Sequence, residues 1–523
     1  MSLTPDNQFD LMNASIVYAN LLEASDPMRL FSEHIYPVFK DEDFKECYSE
    51  KGRNAISPAL LSLVTILQWK ENLSDMETAH AFNFRIDWKI ALHLKIDAMN
   101  QFDASTLCRF RHRLLEHEKA SLMFDKILNL CIEKGFVKKR GKQRVDATHI
   151  VKHVNRIATT DLLFRSVKAL VEEFEKKFFL TYEEKIPIDI KERYEKKFSS
   201  FGMSKERRGD KQAEIVQDGF ILETIAKEYK ITKELDQLQI MLTIFQENII
   251  IREKEVNGKI FIEAEEIQSP KQSIFDPRDP SIQMGVKRKG SWIGAKCQII
   301  ETAEPKGSVN FITGVIEEPA QKADQKSHEA IQENNDKYGL HPEKMFVDSN
   351  YISGQSILAS RNNSTELMGY LAPSSSKKTG FNVEDFKINF NDYSAVCPAG
   401  IQSKKTSVHK DGRRSIFFNK TNCMDCLHFS KCVNVKKGKA KILTLSKYYL
   451  EIFNRRRLQE TKQFRDEMKA RPAIEGTISE LVRFHGFRKI RYKGQKGRQF
   501  QCYVAATALN IRRFFKALSM SYT

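Results

Sequence analysis

The stretch that decides the fold is Arg144-Val145-Asp146-Ala147-Thr148-His149-Ile150. β-Branched and apolar residues dominate it, and the basic turn Lys138-Lys139-Arg140-Gly141-Lys142 precedes it, so we predict a short buried strand. A carboxylate in a buried strand is costly unless a cation or hydrogen bonds compensate it. Asp146 is therefore either a metal ligand or a structural carboxylate, and this stretch alone leaves both interpretations open.

A second carboxylate lies in a similar setting. The apolar strand Met345-Phe346-Val347-Asp348 ends in an aspartate, and a helix is predicted to begin near Ser353. Two strands that each place an Asp at one sheet edge can hold a divalent ion, and a third carboxylate from a helix completes a two-metal site for phosphoryl transfer. Glu475, within Arg471-Pro472-Ala473-Ile474-Glu475-Gly476-Thr477-Ile478, is the helix candidate. We therefore predict Asp146, Asp348 and Glu475 as catalytic residues that bind two Mg²⁺ or Mn²⁺ ions.

The composition is strongly basic. The 523 residues include 85 Lys plus Arg against 68 Asp plus Glu, which gives a formal net charge of +17 and a pI near 9.2. A soluble protein this basic typically has a polyanionic partner, and nucleic acid is the first candidate; an unspecifically basic surface is the alternative. The length is sufficient for about two to four domains.

The sequence predicts a cytosolic protein without a membrane partner. Residues 1–11 are polar and acidic, unlike a signal peptide. The longest apolar run, residues 59–67, includes Ser62 and Thr65 and is too short to span a bilayer.

The nine cysteines fall into two groups. Five are isolated and are interpreted as ordinary buried thiols: Cys47, Cys108, Cys131, Cys297 and Cys502. The other four are Cys397, Cys423, Cys426 and Cys432. Two thiolates three residues apart, with two more within reach, match a tetrahedral structural zinc site. His409 or His428 could replace one cysteine, and a set of reduced core thiols is the alternative.

Residues 1–140 are predicted to be all helical. Pro58 is placed to begin one helix, and Ser74-Asp75-Met76-Glu77 is a capping box that opens the next. Asp103 can cap a third helix over residues 104–118. A short helix, a turn and a basic helix are compatible with a helix-turn-helix that docks on DNA, and a plain bundle with a solvated basic face is the alternative.

The third helix is amphipathic in the predicted arrangement. Its inward positions are Leu107, Phe110 and Leu114, and its mostly outward positions are Arg109, Arg111, His112 and Arg113. We therefore expect the four outward residues to contact DNA if this region binds it.

Residues 155–280 change to a Lys/Glu-rich composition with few glycines. Leu235, Leu238, Leu242, Phe245 and Ile249 follow three-four spacing for two heptads. We predict a helical insertion, a clamp or dimer arm, with a loop over residues 202–209 and an end marked by residues 270–280.

The remaining pattern predicts an RNase H-like α/β domain. After the strand with Asp146 come strands at residues 292–300 and 309–317, a helix at 322–338, the Asp348 strand, a helix, and a strand at 367–372. In this order the first two acids lie on the first and fourth strands. The expected domains are a helical N-terminal domain, 1–140, and a catalytic domain, 141–523. Two insertions interrupt the catalytic domain, a helical one at about 155–280 and a Cys-rich, zinc-binding-like one at about 380–445.

These motifs resemble the DDE transposases of bacterial insertion sequences, over residues 30–155 and 270–515. The resemblance rests on Phe102-Asp103-Ala104-Ser105-Thr106-Leu107, Val145-Asp146-Ala147-Thr148, Val347-Asp348-Ser349-Asn350-Tyr351, and Arg471 four residues before Glu475. The runs at residues 486–494 and 508–513 resemble the C-terminal pattern of the family. The chain departs from the family where Met468 replaces a frequent Tyr and Val482 a frequent Lys.

The resemblance implies metal-dependent cleavage at transposon ends and transfer of the 3′-hydroxyl strand into target DNA. It also implies double-stranded DNA as partner, a homo-oligomer that is a dimer on DNA, and a prokaryotic, nucleoid-associated protein. The alternatives are a structure-specific nuclease and a catalytically inactive, zinc-containing DNA-binding protein. The candidate DNA-binding residues are Arg109, Arg111, His112, Arg113, Arg471, Arg483, Arg488, Lys489, Arg491 and Lys493.

Overall fold

The computed structural model describes residues 12–18, 21–49, 54–98, 102–152, 157–178, 186–256, 259–268, 270–287, 290–372, 380–432 and 440–521. Within them the α-helices are α1 (Ala14–Val17), α2 (Pro27–Leu30), α3 (Pro58–Lys70), α4 (Asp75–Phe84), α5 (Ile86–Ala91), α6 (Ala104–Glu116), α7 (Leu122–Glu133), α8 (Thr159–Phe178), α9 (Ile188–Glu195), α10 (Lys205–Glu228), α11 (Asp236–Asn248), α12 (His328–Lys337), α13 (Gly354–Asn362), α14 (Lys420–Met424), α15 (Phe429–Cys432), α16 (Tyr449–Gln459), α17 (Lys462–Glu467), α18 (Ile474–Phe484) and α19 (Gly494–Ser521).

The strands of the described residues belong to one large sheet and three small ones. They are β1 (Lys142–Val151), β2 (Ile249–Val256), β3 (Lys259–Glu266), β4 (Gln283–Lys287), β5 (Gly290–Thr302), β6 (Ile312–Pro319), β7 (Lys344–Phe346), β8 (Glu366–Met368), β9 (Lys387–Ile388), β10 (Ala395–Val396), β11 (Lys405–Val408), β12 (Arg414–Phe417) and β13 (Ile442–Leu445).

The N-terminal region is helical, as predicted, and its helices begin where the caps require. Helix α3 begins at Pro58, with the Ser57 hydroxyl accepting from the Leu60 N–H at 3.1 Å. The capping box of α4 is present at Ser74 and Glu77. The Asp103 carboxylate accepts from the Thr106 N–H at 3.0 Å and caps α6. These three predictions are confirmed.

The large sheet has β1 at its centre. Its order is β4-β5-β1-β7-β8. Strand β6 also pairs with β5, over residues 295–301. Strand β1 is antiparallel to β5 and parallel to β7, and β8 is parallel to β7. The predicted helix at 322–338 is α12, preceded by the 3₁₀ segment Asp324–Ser327. Strand β4 was not predicted, because it is a five-residue edge strand whose Met284 and Val286 side chains are exposed.

The insertion after β1 is not entirely helical. Helices α8 to α11 have a core of their own, but β2 and β3 form an antiparallel pair, so the all-helical prediction is wrong for residues 249–256 and 259–266. The β-branched run Ile249-Ile250-Ile251 favours a strand over the continuing three-four pattern. The predicted loop at 202–209 is also too long. Ser204 caps α10, which begins at Lys205.

A single hydrophobic core joins the N-terminal helices to the large sheet. The 28-residue helix α19 packs against α3 and α7 on one side and β6 on the other. Its Phe500, Leu509 and Phe514 are fully buried in the cluster that also contains Trp69 and Ile312. The N-terminal helices therefore have a fixed position relative to β1. In the described part of the chain, no helix is both long and apolar enough to cross a membrane.

Candidate active site

Two of the predicted acids lie near each other at one end of two neighbouring parallel strands. Arg144 on β1 pairs with Phe346, the last residue of β7. Asp146 lies two residues further along β1, and Asp348 lies two residues past the end of β7, where it acts electrostatically on Asp146. The structure therefore brings together two acids that are 202 residues apart in the sequence.

Asp146 is largely buried, and its side chain is compensated. One carboxylate oxygen accepts from the Ala147 N–H at 2.8 Å and the other lies 2.8 Å from the Arg471 guanidinium. Burial raises the pKa of Asp146, Arg471 opposes that shift, and the nearby Asp348 and Asp324 carboxylates add to it. The raised pKa follows from crowding negative charge in a partly dry site, which is where a cation is attracted.

Asp348 begins a tight turn rather than ending the strand. Its carboxylate accepts from the Ser349 N–H at 2.6 Å and from the Ser349 hydroxyl at 3.3 Å, and it caps the 3₁₀ segment Ser349–Tyr351. The buried Tyr351 hydroxyl donates to Gln298 of β5. The turn is thereby fastened to the sheet, which fixes the direction of the carboxylate.

Glu475 lies in the first turn of α18. It lies close to Arg471, the same arginine that contacts Asp146. The Arg471 guanidinium is 2.8 Å from Asp146 and 3.7 Å from Glu475. The Glu475 side chain is 70% exposed, whereas that of Arg471 is 18% exposed. The three predicted acids are thus connected, with Glu475 at the open side and Arg471 between it and β1.

A buried network fixes α18 against the sheet. Glu301 of β5 is fully buried and accepts from Arg144 Nε at 2.8 Å, Thr477 Oγ1 at 2.6 Å and Arg513 at 2.8 Å. Thr477 follows Glu475 by two residues, and Arg144 precedes Asp146 by two. Glu301 therefore connects the two elements that carry the first and third acids.

The nearest alternatives to Glu475 in the sequence have other partners. Glu480 lies 2.9 Å from Arg512 and 3.1 Å from Arg513, and Glu467 lies 2.5 Å from Lys344. A further acid, Asp324, acts electrostatically on Asp146 and accepts from Lys296 at 2.6 Å. Sequence reasoning missed Asp324, Glu301 and Lys296, because nothing in their local sequence indicates that they share a site.

The donor set fits a hard divalent cation. Carboxylate oxygens are the ligands that Mg²⁺ and Mn²⁺ prefer. The negative charge of Asp348 raises the pKa of Asp146, so a cation between them would be favoured. Among the described residues, no three His, Cys, Asp or Glu side chains are already arranged to hold a metal ion. Asp146, Asp348 and Glu475 could serve as ligands once Arg471 yields part of its contact.

The four clustered cysteines line one small cavity. Cys397, which follows β10, Cys423 on α14, Cys426 and Cys432 at the end of α15 surround a space of about 20 Å³. A space of this size accommodates about one small atom or ion. Neither His409 nor His428 lines it.

Two of these sulfur atoms have backbone N–H groups as neighbours. The Ile401 N–H lies 3.3 Å from Cys397 Sγ, and the His428 N–H lies 3.4 Å from Cys426 Sγ. Burial raises the pKa of the Cys432 thiol, Lys441 opposes this, and the other three cysteines add to it. Four cysteine sulfurs are the donor type that structural zinc takes, although within the described residues they are not arranged at coordinating geometry.

The candidate cations of α6 divide into two kinds. Arg109 is 62% exposed and His112 is exposed. Arg111 was expected to face outward, and this is wrong, because its guanidinium is buried and forms two bonds of 2.9 and 2.6 Å to Asp75. The period of the helix places Arg111 next to the inward Phe110 and Leu114 rather than opposite them.

The other predicted DNA-binding residues also differ in how exposed their side chains are. Arg113 lies over the Tyr48 ring at 4.7 Å, and Arg491 lies over the Trp69 ring at 4.2 Å while donating to the Leu73 carbonyl. Both are therefore packed side chains. The exposed candidates are Arg483, Arg488, Lys489 and Lys493.

Two family models match the chain. The model described as "Transposase domain (DUF772)" matches residues 17–113, which include α2 to α5 and most of α6. The model described as "Transposase DDE domain" matches residues 396–515, which include the four clustered cysteines, Arg471 and Glu475 but neither Asp146 nor Asp348. Neither the curated proteins nor the solved structures that were searched gave a match.

Proposed function

We propose that this chain, whose two family matches indicate an insertion-sequence DDE transposase, cleaves DNA at transposon ends and transfers the freed 3′-hydroxyl strand into target DNA. The observation that carries the proposal is the proximity of Asp146 on β1 to Asp348 just after the adjacent strand β7, with Glu475 reached through Arg471. The sheet order, with three antiparallel strands followed by two parallel ones, supports an RNase H-like topology.

The three acids are proposed to hold two Mg²⁺ or Mn²⁺ ions. When bound, such ions polarise a phosphate and lower the pKa of an attacking water or hydroxyl. Asp146 would supply a ligand from β1, Asp348 one from the turn after β7, and Glu475 one from its exposed side chain at the open edge. Arg471 is proposed to orient Asp146 and Glu475 and to contact the phosphate.

The protein's own framework is proposed to keep the acids in register. Glu301 holds Arg144 on β1, Thr477 on α18 and Arg513 on α19 through short hydrogen bonds. A misplacement of about 1 Å is enough to slow a positioned reaction about 100-fold. A buried, fully bonded carboxylate in this position therefore matters for catalysis as well as for folding.

The cysteine-bearing segment is proposed to hold one structural zinc ion. Cys397, Cys423, Cys426 and Cys432 would be its ligands, and binding would stabilise the small strands β9 to β13. Exposed cations of α6 and of residues 483–493 are proposed to contact duplex DNA, with the protein acting as a dimer on it.

The experiment is a two-step assay with purified protein and DNA that carries the inverted repeats flanking the gene. Metal-dependent nicking at the repeat ends separates an active enzyme from an inactive DNA-binding protein. Joining of the 3′-hydroxyl end to target DNA separates a transposase from a structure-specific nuclease. Absence of both activities in Mg²⁺ and in Mn²⁺ would contradict the proposal.

A further inference from the structure

A strongly basic recess lies where the helical insertion meets the large sheet. It has a volume of about 470 Å³. Its cations are Arg165, Lys168, Lys196, Lys197, Arg278 and Lys493, and its acid is Asp276. Of these six cations, only Lys493 is among the DNA-binding residues predicted from the sequence.

Most of this positive charge is uncompensated. Within the described residues, no carboxylate lies at ion-pair distance from Arg165, Lys196, Lys197 or Lys493. All four side chains are exposed. Asp276 is already paired with Lys152 at the end of β1. The recess therefore has a local excess of positive charge.

The recess is held open by fixed contacts. Arg278 donates to Glu172 of α8 at 2.6 Å, and Lys168 donates to the Tyr194 carbonyl at 2.5 Å. On the sheet side, Asp279 accepts from Arg498 at 2.6 Å and from the Gly494 N–H at 3.0 Å. These contacts keep the insertion in place against the start of α19, so the cations on both sides face one space.

The positive field already acts on a neighbouring lysine. Burial lowers the pKa of Lys152 to about 8, Asp279 opposes this shift, and the nearby Lys493, Arg165 and Arg498 add to it. A lysine beside a carboxylate loses affinity for its proton only when desolvation and other cations outweigh that carboxylate. The recess is thus electrostatically suited to an anion.

We propose that this recess binds the phosphate backbone of duplex DNA and forms a clamp between the insertion and the catalytic sheet. The two aromatic residues of the recess are engaged with neighbours: the Phe164 and Phe198 rings stack with centroids 4.6 Å apart, and the Lys211 ammonium lies 5.7 Å from the Phe198 ring centroid. The recess is therefore better suited to phosphates than to unpaired bases.

The position of the clamp agrees with DNA that also occupies the active site. Lys152 follows Asp146 by six residues on an extended strand, which is a separation of about 20 Å. Duplex DNA rises about 3.4 Å per base pair, so for a duplex that lies along β1 this separation corresponds to about six base pairs. This inference rests on the proposed function, because it takes the DNA to be the substrate.

The test measures binding of the full-length protein to a labelled duplex of arbitrary sequence, in EDTA, over a range of salt concentrations. The variant Arg165→Ala/Lys197→Ala removes two exposed cations, so the slope of log affinity against log salt should become shallower by about 1.8 units. The pair Lys196→Ala/Lys493→Ala should do the same, and Arg165→Lys/Lys197→Arg should restore the slope.

The matched control is Lys230→Ala/Lys233→Ala. Both lysines are exposed on the insertion, close to Glu234, whose carbonyl accepts from Lys177 at the far end of α8. That end lies about 14 Å along the helix from Lys168. The control should leave the slope unchanged, and equal slopes for wild type, both recess pairs and the control would overturn the clamp.

Failure of the clamp and failure of the proposed function give different results. Unchanged slopes together with metal-dependent cleavage by the wild type would reject the clamp alone. Shallower slopes together with no cleavage in any divalent metal would reject the proposed activity alone. Thermal unfolding of each variant verifies that a changed slope does not come from a misfolded protein.

Discussion

Arg471 and Asp146 form an ion pair of 2.8 Å across 325 positions of the sequence. The same guanidinium lies 3.7 Å from Glu475, so one cation contacts carboxylates from the central strand and from α18. Arg471 itself is mostly buried, and its Nε atom has no hydrogen-bond partner within the described residues. This arrangement leaves the Arg471 side chain with one unused, buried donor.

Replacement of Arg471 should therefore slow the reaction without preventing DNA binding. In Arg471→Ala the carboxylates lose the cation that orients them, and we expect DNA cleavage to fall by about 10- to 100-fold. The measurement is the cleavage rate as a function of Mg²⁺ concentration. Arg471→Lys keeps the charge but not the planar fork, so it should recover only part of the rate. Wild-type rates in both variants would show that Arg471 has no such role.

Asp146→Asn should stabilise the folded protein at neutral pH. The folded-state pKa of Asp146 is raised, chiefly by burial, so its ionisation above that pKa costs folding free energy, which the neutral amide does not. The gain should be largest above the folded-state pKa and should vanish below about pH 4, where the carboxyl is protonated in both states.

Thermal unfolding across a pH series measures this effect. The expected result is a higher Tm for Asp146→Asn at pH 7 and the same Tm as wild type in acid. A variant that is less stable than wild type at pH 7 would mean that the lost pairing with Arg471 outweighs the relief of burial.

Two arginines on α6 should respond in opposite ways. Arg109 is exposed, so Arg109→Ala should leave the free energy of unfolding nearly unchanged and make the salt slope of DNA binding shallower by about 0.9. Arg111 is buried against Asp75 and lies over the Tyr492 ring at 4.8 Å. Arg111→Ala should therefore cost on the order of 3 kcal/mol of stability. Denaturant unfolding and salt-dependent DNA binding distinguish the two variants. An unchanged salt slope of DNA binding for Arg109→Ala would indicate that α6 has only a structural role.

The cysteine cavity should contain about one zinc ion per chain. Cys423→Ser or Cys426→Ser should lose the metal and destabilise the small strands around it. Cys108→Ser is the matched control, because Cys108 is isolated from the cluster and is exposed, so the prediction of a buried thiol is wrong for this residue. Elemental analysis of protein purified under reducing conditions measures the content, and a wild-type sample without zinc would reject the site.

The sequence was informative where local signals and burial agree. Strand β1 was predictable because β-branched residues and a preceding basic turn bound it, and the starts of α3, α4 and α6 were predictable from their caps. The proximity of Asp146 and Asp348 was expected from two apolar segments that each contain an acid, and β1 and β7 are neighbours in the sheet.

Other features depend on contacts that are distant in the sequence. Asp324 affects Asp146 only because the 3₁₀ segment Asp324–Ser327 lies against the Ser349–Tyr351 turn in the folded chain. Glu301 likewise contacts Arg144, Thr477 and Arg513 only after folding. The β2–β3 pair was missed because its Lys and Glu residues resemble the composition of the helices beside it. Local patterns cannot predict such contacts, since propensity is weak where tertiary packing decides.

The most direct test of the central claim is Mg²⁺-dependent cleavage at the transposon ends by Asp146→Asn, Asp348→Asn and Glu475→Gln, measured beside DNA binding in the same preparations. Each substitution removes one proposed metal ligand and keeps the side-chain shape, so each should abolish cleavage while DNA affinity stays close to that of the wild type. Wild-type cleavage by any one of the three would contradict the account of a site built from Asp146, Asp348 and Glu475.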